Sequence, residues 1–137
     1  MTDRDDPSAD RRMVRVLHIE DSAADAEIVR RLLSRLGEDR FIVETATTAA
    51  EALARLASGR YDLIFLDNGL PDENGLDLLR RAGTLGAPVI MLTGQDEIRE
   101  DALAAGAADF ISKTGLDRDE LARAISAVIG PFPGSEA

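Results

Sequence analysis

Four places far apart in the chain carry groups that could handle a cation and a phosphoryl group together: Glu20 with Asp21, then Asp67, Thr93 and Lys113. Three carboxylates brought close repel one another, and a hard divalent cation with oxygen ligands relieves that repulsion, Mg²⁺ being the common choice where phosphate is also handled. A carboxylate can also attack phosphorus and form an acyl phosphate. The transferring group then needs its equatorial oxygens held, which a cation, the Lys113 ammonium, the Thr93 hydroxyl and backbone N–H groups could do. Taken singly, each residue has a blander reading. An Asp after an apolar run can simply open a turn, and one lysine among 15 arginines can reflect codon usage. The weight lies in the set and its order.

The elements that must position these groups show as short apolar runs alternating with helical periods. Tyr61 to Leu66 is apolar, with aromatic and β-branched residues, and reads as a buried strand ending at Asp67 and the turn residues Asn68-Gly69-Leu70-Pro71-Asp72. Val14 to Ile19 is a first strand ending at Glu20-Asp21-Ser22, and Phe41 to Thr45 a second. Pro88 to Leu92 runs into Thr93-Gly94 as a fourth, and Ala108 to Ser112 runs into Lys113 as a fifth. Between them Ile28, Leu32 and Leu36 recur at helical spacing, and Thr48 with Glu51 has the spacing of a capping box ahead of Leu53 and Leu56. Gly75 leads into a short helix through Leu76 and Leu79. Ile98, Ala102 and Leu103 mark a fourth helix, and Asp117 with Glu120 opens a last one with the stripe Leu121, Ile125 and Val128.

Five strands alternating with five helices imply an α/β fold, a parallel sheet with helices on both faces, because parallel strands need helical crossovers. The carboxyl ends of such strands share one edge, where open α/β sheets place their chemistry. Strands one, three, four and five deliver the chemical groups. Strand two ends blandly at Thr45-Ala46 and belongs outside the site, beside strand one.

A chain of 137 residues with 45% hydrophobic and 31% charged residues fits one domain with a single core. Residues 1–13 are expected to form a disordered arm, 14–130 the domain and 131–137 a short tail. A net charge of -10 argues against nucleic acid as main partner, since phosphate backbones are held by basic clusters. With no cysteine there is neither a disulfide framework nor a thiolate metal site. No apolar run approaches the roughly 20 residues that span a bilayer, and the first residues lack the apolar core of a signal peptide, so no membrane partner and a cytoplasmic location are expected.

From about Val14 to Ile129 the chain resembles the receiver domain of two-component response regulators, of the single-domain chemotaxis type. The resemblance implies a flavodoxin-like sheet of order 2-1-3-4-5 and a bacterial phosphorelay protein. It makes Asp67 the phosphoacceptor, Asp21 and Asp67 direct Mg²⁺ ligands, and Glu20 the acid that reaches the metal through water. The Gly69 carbonyl becomes a further ligand. Thr93 would contact the phosphoryl group beside Lys113, and Thr93 and Phe110 would form the switch. The partners implied are a histidine kinase or histidine phosphotransfer protein, and an effector on the face of helix four, strand five and helix five. A monomer or weak dimer is expected. The chain would catalyse its own phosphorylation and dephosphorylation without being an enzyme on other substrates, and its output would be a binding event.

Two departures stand out. The family usually has a cis-proline after the lysine, whereas Thr114 follows Lys113, and a cis bond before a non-proline residue costs about 2.5–4 kcal/mol. Gly69 offers no side chain where, with Gln95, residues commonly tune the acyl phosphate's lifetime. Two other readings compete. An aspartyl-phosphate phosphohydrolase would carry a second Asp at the position of Gly69, and a receiver-like interaction module would not need Asp67, Thr93 and Lys113 all in place. Among the rest, His18 reads as a packed histidine, and Asp72 and Glu73 as solvated loop acids.

Overall fold

The computed structural model describes residues 13–37, 39–82 and 85–131. The expected arm, apart from Met13, and the expected tail beyond Pro131 lie outside the described residues. The elements run β1 (Val14–Ile19), α1 (Ala23–Leu36), β2 (Phe41–Ala46), α2 (Ala49–Ser58), β3 (Leu63–Leu66), α3 (Gly75–Ala82), β4 (Val89–Thr93), a 3₁₀ turn (Asp96–Ile98) leading into α4 (Arg99–Ala104), β5 (Asp109–Ser112) and α5 (Arg118–Ile129). The five strands form one parallel sheet in the order β2-β1-β3-β4-β5. The chain leaves β1 for one edge and returns to β3 for the other. The crevice at this reversal, between the ends of β1 and β3, is where such sheets bind ligands.

Strand alternation divides the core into two layers. Leu17, Ile19, Ile64, Leu66 and Met91 pack against α2, α3 and α4. Val16, Leu63, Phe65, Ile90 and Leu92 pack against α1 and α5. The central strands are buried on both sides, which is why β3 reads Leu-Ile-Phe-Leu with no polar alternation.

Helix starts follow capping chemistry. Ser22 accepts from Asp25 N, Thr48 from Glu51 N at 3.0 Å and Asp117 from Glu120 N at 2.8 Å. Glu51 completes its box one residue early, accepting from Thr47 N rather than from the cap itself. The α1 stripe is rotated from its expected position. Val29, Leu33 and Leu36 are buried, whereas Ile28 is 51% exposed, because the face that meets α5 and the sheet lies one residue further along the helix. Leu103 on α4 likewise faces outward while Ala102 is buried.

Candidate functional site

Glu20 and Asp21 leave the end of β1, and Asp67 leaves the end of β3. Backbone bonds fix both exits: Glu20 N donates to Ala46 O at 2.8 Å and Asp67 N to Ile19 O at 3.0 Å. One oxygen from each of Glu20, Asp21 and Asp67 lies within 4.8 Å of the others. Glu20 and Asp67 are buried and Asp21 is exposed, so the cluster opens to solvent on one side. An all-oxygen set of this charge suits a hard divalent cation.

Lys113 follows β5 and reaches the same cluster. Its Nζ lies 2.7 Å from Glu20 Oε1, 2.8 Å from Asp25 Oδ2 and 3.4 Å from Asp67 Oδ1. Burial alone would lower the Lys113 pKa, but pairing with Asp25 and Glu20, together with the Asp67 charge, outweighs it and holds the ammonium firmly protonated. Burial pushes the Glu20 pKa up, against the pull of Lys113 and of Ser22 N, which donates to Oε2 at 3.1 Å. No peptide bond among the described residues is cis, so Lys113-Thr114 is trans and the lysine reaches its partners without that turn.

Thr93 ends β4, is buried, and accepts at Oγ1 from Gln95 N at 3.4 Å, while Lys113 N donates to its carbonyl at 2.9 Å. Gly69 N donates to Asp67 Oδ2 at 3.2 Å, a backbone N–H aimed at that carboxylate. Phe110 lies inside the α2–α4 layer, 2% exposed, with the Arg99 guanidinium 5.6 Å from its ring centre. The ring is thus packed in the core and not turned out to solvent.

Several contributors escaped the reading of the sequence. Asp25, on the first turn of α1, holds Lys113 from 88 positions away. Its place four residues beyond Asp21, on the helix that starts at the site edge, was the available signal. Asn68 ties the loop after Asp67 to its surroundings: Oδ1 accepts from Leu76 N at 2.8 Å and Nδ2 donates to Gln95 Oε1 at 2.5 Å. Gly75 stands so close that a Cβ there would lie 2.3 Å from the Asp67 carbonyl oxygen. Asp72 is no loose loop acid, since Ala49 N and Ala50 N donate to its carboxylate at 2.9 and 3.0 Å and hold its pKa below the usual range. Glu73 pairs with Arg81 at 2.8 Å. His18 is fully buried, edge-on to Phe65 with ring centres 5.9 Å apart, and burial, with the nearby Lys113 charge, lowers its pKa to about 4.

Residues 16–126 match the family model described as the response regulator receiver domain. The chain is 36% identical over 104 residues to the two-component response regulator PhoP of Pseudomonas aeruginosa, covering 73% of this chain and 45% of that protein. It is 38% identical over 123 residues to the DNA-binding transcriptional activator DevR/DosR of Mycobacterium tuberculosis, covering 85% and 54%. The chain thus spans about half the length of the curated relatives it matches. A CheY-like receiver domain protein from Methanospirillum hungatei superposes with a TM-score of 0.71 at 32% identity, over 83% of this chain and 91% of that one. The receiver domain of sensor histidine kinase PA1611 from Pseudomonas aeruginosa, solved with a magnesium ion in its active site cleft, does so with a TM-score of 0.74 at 30% identity, over 87% and 99%.

Proposed function

The chain belongs to the receiver domain family of two-component response regulators, and on that premise we propose that Asp67 accepts a phosphoryl group from a phosphohistidine donor and that the modified domain signals by altered protein binding. The observation that carries this reading is the Lys113 ammonium set among Glu20, Asp25 and Asp67, beside three carboxylates close enough to share one cation.

In the transfer, an Asp67 carboxylate oxygen attacks phosphorus, the phosphorus–nitrogen bond breaks with its electron pair going to the donor imidazole, and an acyl phosphate forms. Lys113 and the Gly69 N–H supply positive charge and a donor where the phosphoryl oxygens arrive, and Thr93 is the nearby hydroxyl. Asp21 and Asp67, with Glu20 behind and the Gly69 carbonyl as a further ligand, would hold Mg²⁺, which neutralises charge on those oxygens when bound. Self-catalysed hydrolysis of the same bond returns the domain to rest, so the chain is a switch rather than an enzyme acting on other substrates.

The histidine kinase or phosphotransfer protein is the upstream partner. A cleft lined by Asp25, Ile28, Val29, Lys113, Gly115 and Leu116 supports its seat, because it places an exposed isoleucine next to the lysine of the site. Downstream, the added dianion would draw Thr93 and its loop inward and shift the balance of packings at α4, β5 and α5, where Arg99 caps Phe110. No helix among the described residues is long and apolar enough to cross a membrane, which supports a cytoplasmic site of action.

The test is intact mass after incubation with Mg²⁺ and acetyl phosphate. A phosphoryl adduct on the wild type that Asp67→Asn lacks is expected. Steady phosphate release without an adduct would instead point to a hydrolase, which the absence of an acid at Gly69 and the engagement of Asp72 in capping α2 disfavour.

A further inference from the structure

His18 is the chain's one histidine, and neither ring nitrogen has a hydrogen-bond partner among the described residues. A buried polar group left unpaired costs about 1–3 kcal/mol, so an imidazole on a central strand is a poor substitute for an aliphatic side chain unless it has work to do. The two-residue period of β1 puts His18 and Glu20 on the same face. Nε2 of His18 lies 3.8 Å from Glu20 Oε1, and that oxygen is itself without a hydrogen bond of good geometry. Its close neighbour is the Lys113 ammonium, an ion pair at 2.7 Å.

Lys113 is shared among three acids, and one of them is the phosphoacceptor. Once Asp67 carries a dianionic phosphoryl group, the ammonium is drawn toward it, and Glu20 Oε1 is left buried and charged with no donor. A closure of about 1 Å brings the imidazole within hydrogen-bond range of that oxygen. We propose that His18 is a positioning residue for Glu20: a neutral imidazole with its proton on Nε2 that donates to Glu20 Oε1 when Lys113 leaves for the phosphorylated Asp67, keeping the carboxylate turned toward the cation. The proposal rests on the phosphoacceptor reading of Asp67. It uses His18 as a donor 3.8 Å from an acceptor oxygen whose close partner in the resting site is Lys113. Outer-shell donors to ligating groups act in this way at other metal sites, where losing one typically weakens metal binding about 10–100-fold.

A single histidine gives one pair of ring nitrogens, so ¹⁵N spectra of histidine-labelled protein report on this side chain alone. Spectra are compared for the free protein, with Mg²⁺, and with Mg²⁺ and beryllofluoride as a phosphoryl mimic whose ¹⁹F signals report loading. The expected result is a proton on Nε2, moving downfield and exchanging with water more slowly on loading. His18→Leu should raise the Mg²⁺ needed for half-loading by about tenfold, and His18→Gln, which offers an amide N–H near the Nε2 position, should recover most of that loss. Loading with unchanged imidazole resonances, a proton on Nδ1, or an unaltered Mg²⁺ requirement in the leucine variant would reduce His18 to core packing. If the leucine variant does not fold, the wild-type spectra decide alone. No ¹⁹F signal in the wild type would sink the phosphoacceptor reading, and this proposal with it.

Discussion

Replacing Gly75 by alanine tests whether the backbone around Asp67 is set by close packing. Built on the existing backbone, the new methyl would lie 2.3 Å from the Asp67 carbonyl oxygen, 3.0 Å from its carbonyl carbon and 3.1 Å from Leu66 Cγ. Carbon–oxygen contacts settle near 3.3 Å or more, so something must move by about 1 Å. The neighbour is backbone at a strand end, and it cannot swing aside as a flexible side chain would. The two sides are also stitched together, since Gly75 N donates to Asn68 O at 3.0 Å and Leu76 N to Asn68 Oδ1 at 2.8 Å. Overpacking of this kind costs about 1–3 kcal/mol, from which the better helix propensity of alanine recovers at most about 1 kcal/mol. A displacement of about 1 Å in a reacting group can lower rate about 100-fold. Gly75→Ala should therefore lose a modest part of its stability in urea titration and most of its initial rate of phosphoryl uptake from acetyl phosphate. Gly69→Ala serves as the comparison, because its methyl would make an ordinary 3.4 Å contact with Asp67 Oδ2 and keep the backbone carbonyl. A Gly75→Ala protein with the wild-type urea midpoint and uptake rate would refute the packing account.

Other outcomes follow from the same contacts. The buried His18 binds a proton only near pH 4 whereas the unfolded chain binds one near pH 6.5, so its contribution to stability is complete above about pH 6.5 and is lost as pH falls toward 4, about 3 kcal/mol in all; subtracting the urea profile of His18→Gln isolates it from the carboxylates, and parallel profiles would contradict it. Mg²⁺ at a hundredfold excess over its dissociation constant should stabilise the fold by about 2.7 kcal/mol, seen as a melting temperature that rises with Mg²⁺, falls back with chelator and responds less in Asp21→Asn. Ile28→Asp should slow phosphoryl transfer from a phosphotransfer protein while leaving uptake from acetyl phosphate unchanged, and equal slowing with both donors would rule out a docking role. Asp72→Ala removes the acceptor for Ala49 N and Ala50 N and should lower the urea midpoint, whereas Asp72→Glu should recover part of it.

The strands were legible in the sequence because a buried parallel strand leaves a short apolar run with a sharp polar end, and four of the five ends carried unusual groups. That sufficed to bring Glu20, Asp21, Asp67 and Lys113 to one edge. The strand limits drifted by a residue or two, as at Tyr61-Asp62, which precede β3 rather than belong to it. The contacts that tune the site left no periodic trace. Asp25 meets Lys113 across 88 positions and Asp72 caps a helix 22 to 23 positions before it, and neither pairing follows from local spacing. On α1 the error was angular: successive helix residues differ by about 100°, so placing the buried face one residue early turned Ile28 inward when it faces out.

The ammonium held among three acids has a practical corollary. Amine acylation needs the free base, and Lys113 is both the chain's one lysine and strongly held as the cation, with a side chain 21% exposed. An activated ester should therefore spare the lysine in the native protein, and unfolding should unmask it as a labelling site. Reactivity at that one amine thus offers a mass-based gauge of whether the pocket is assembled, needing neither a partner protein nor an added chromophore.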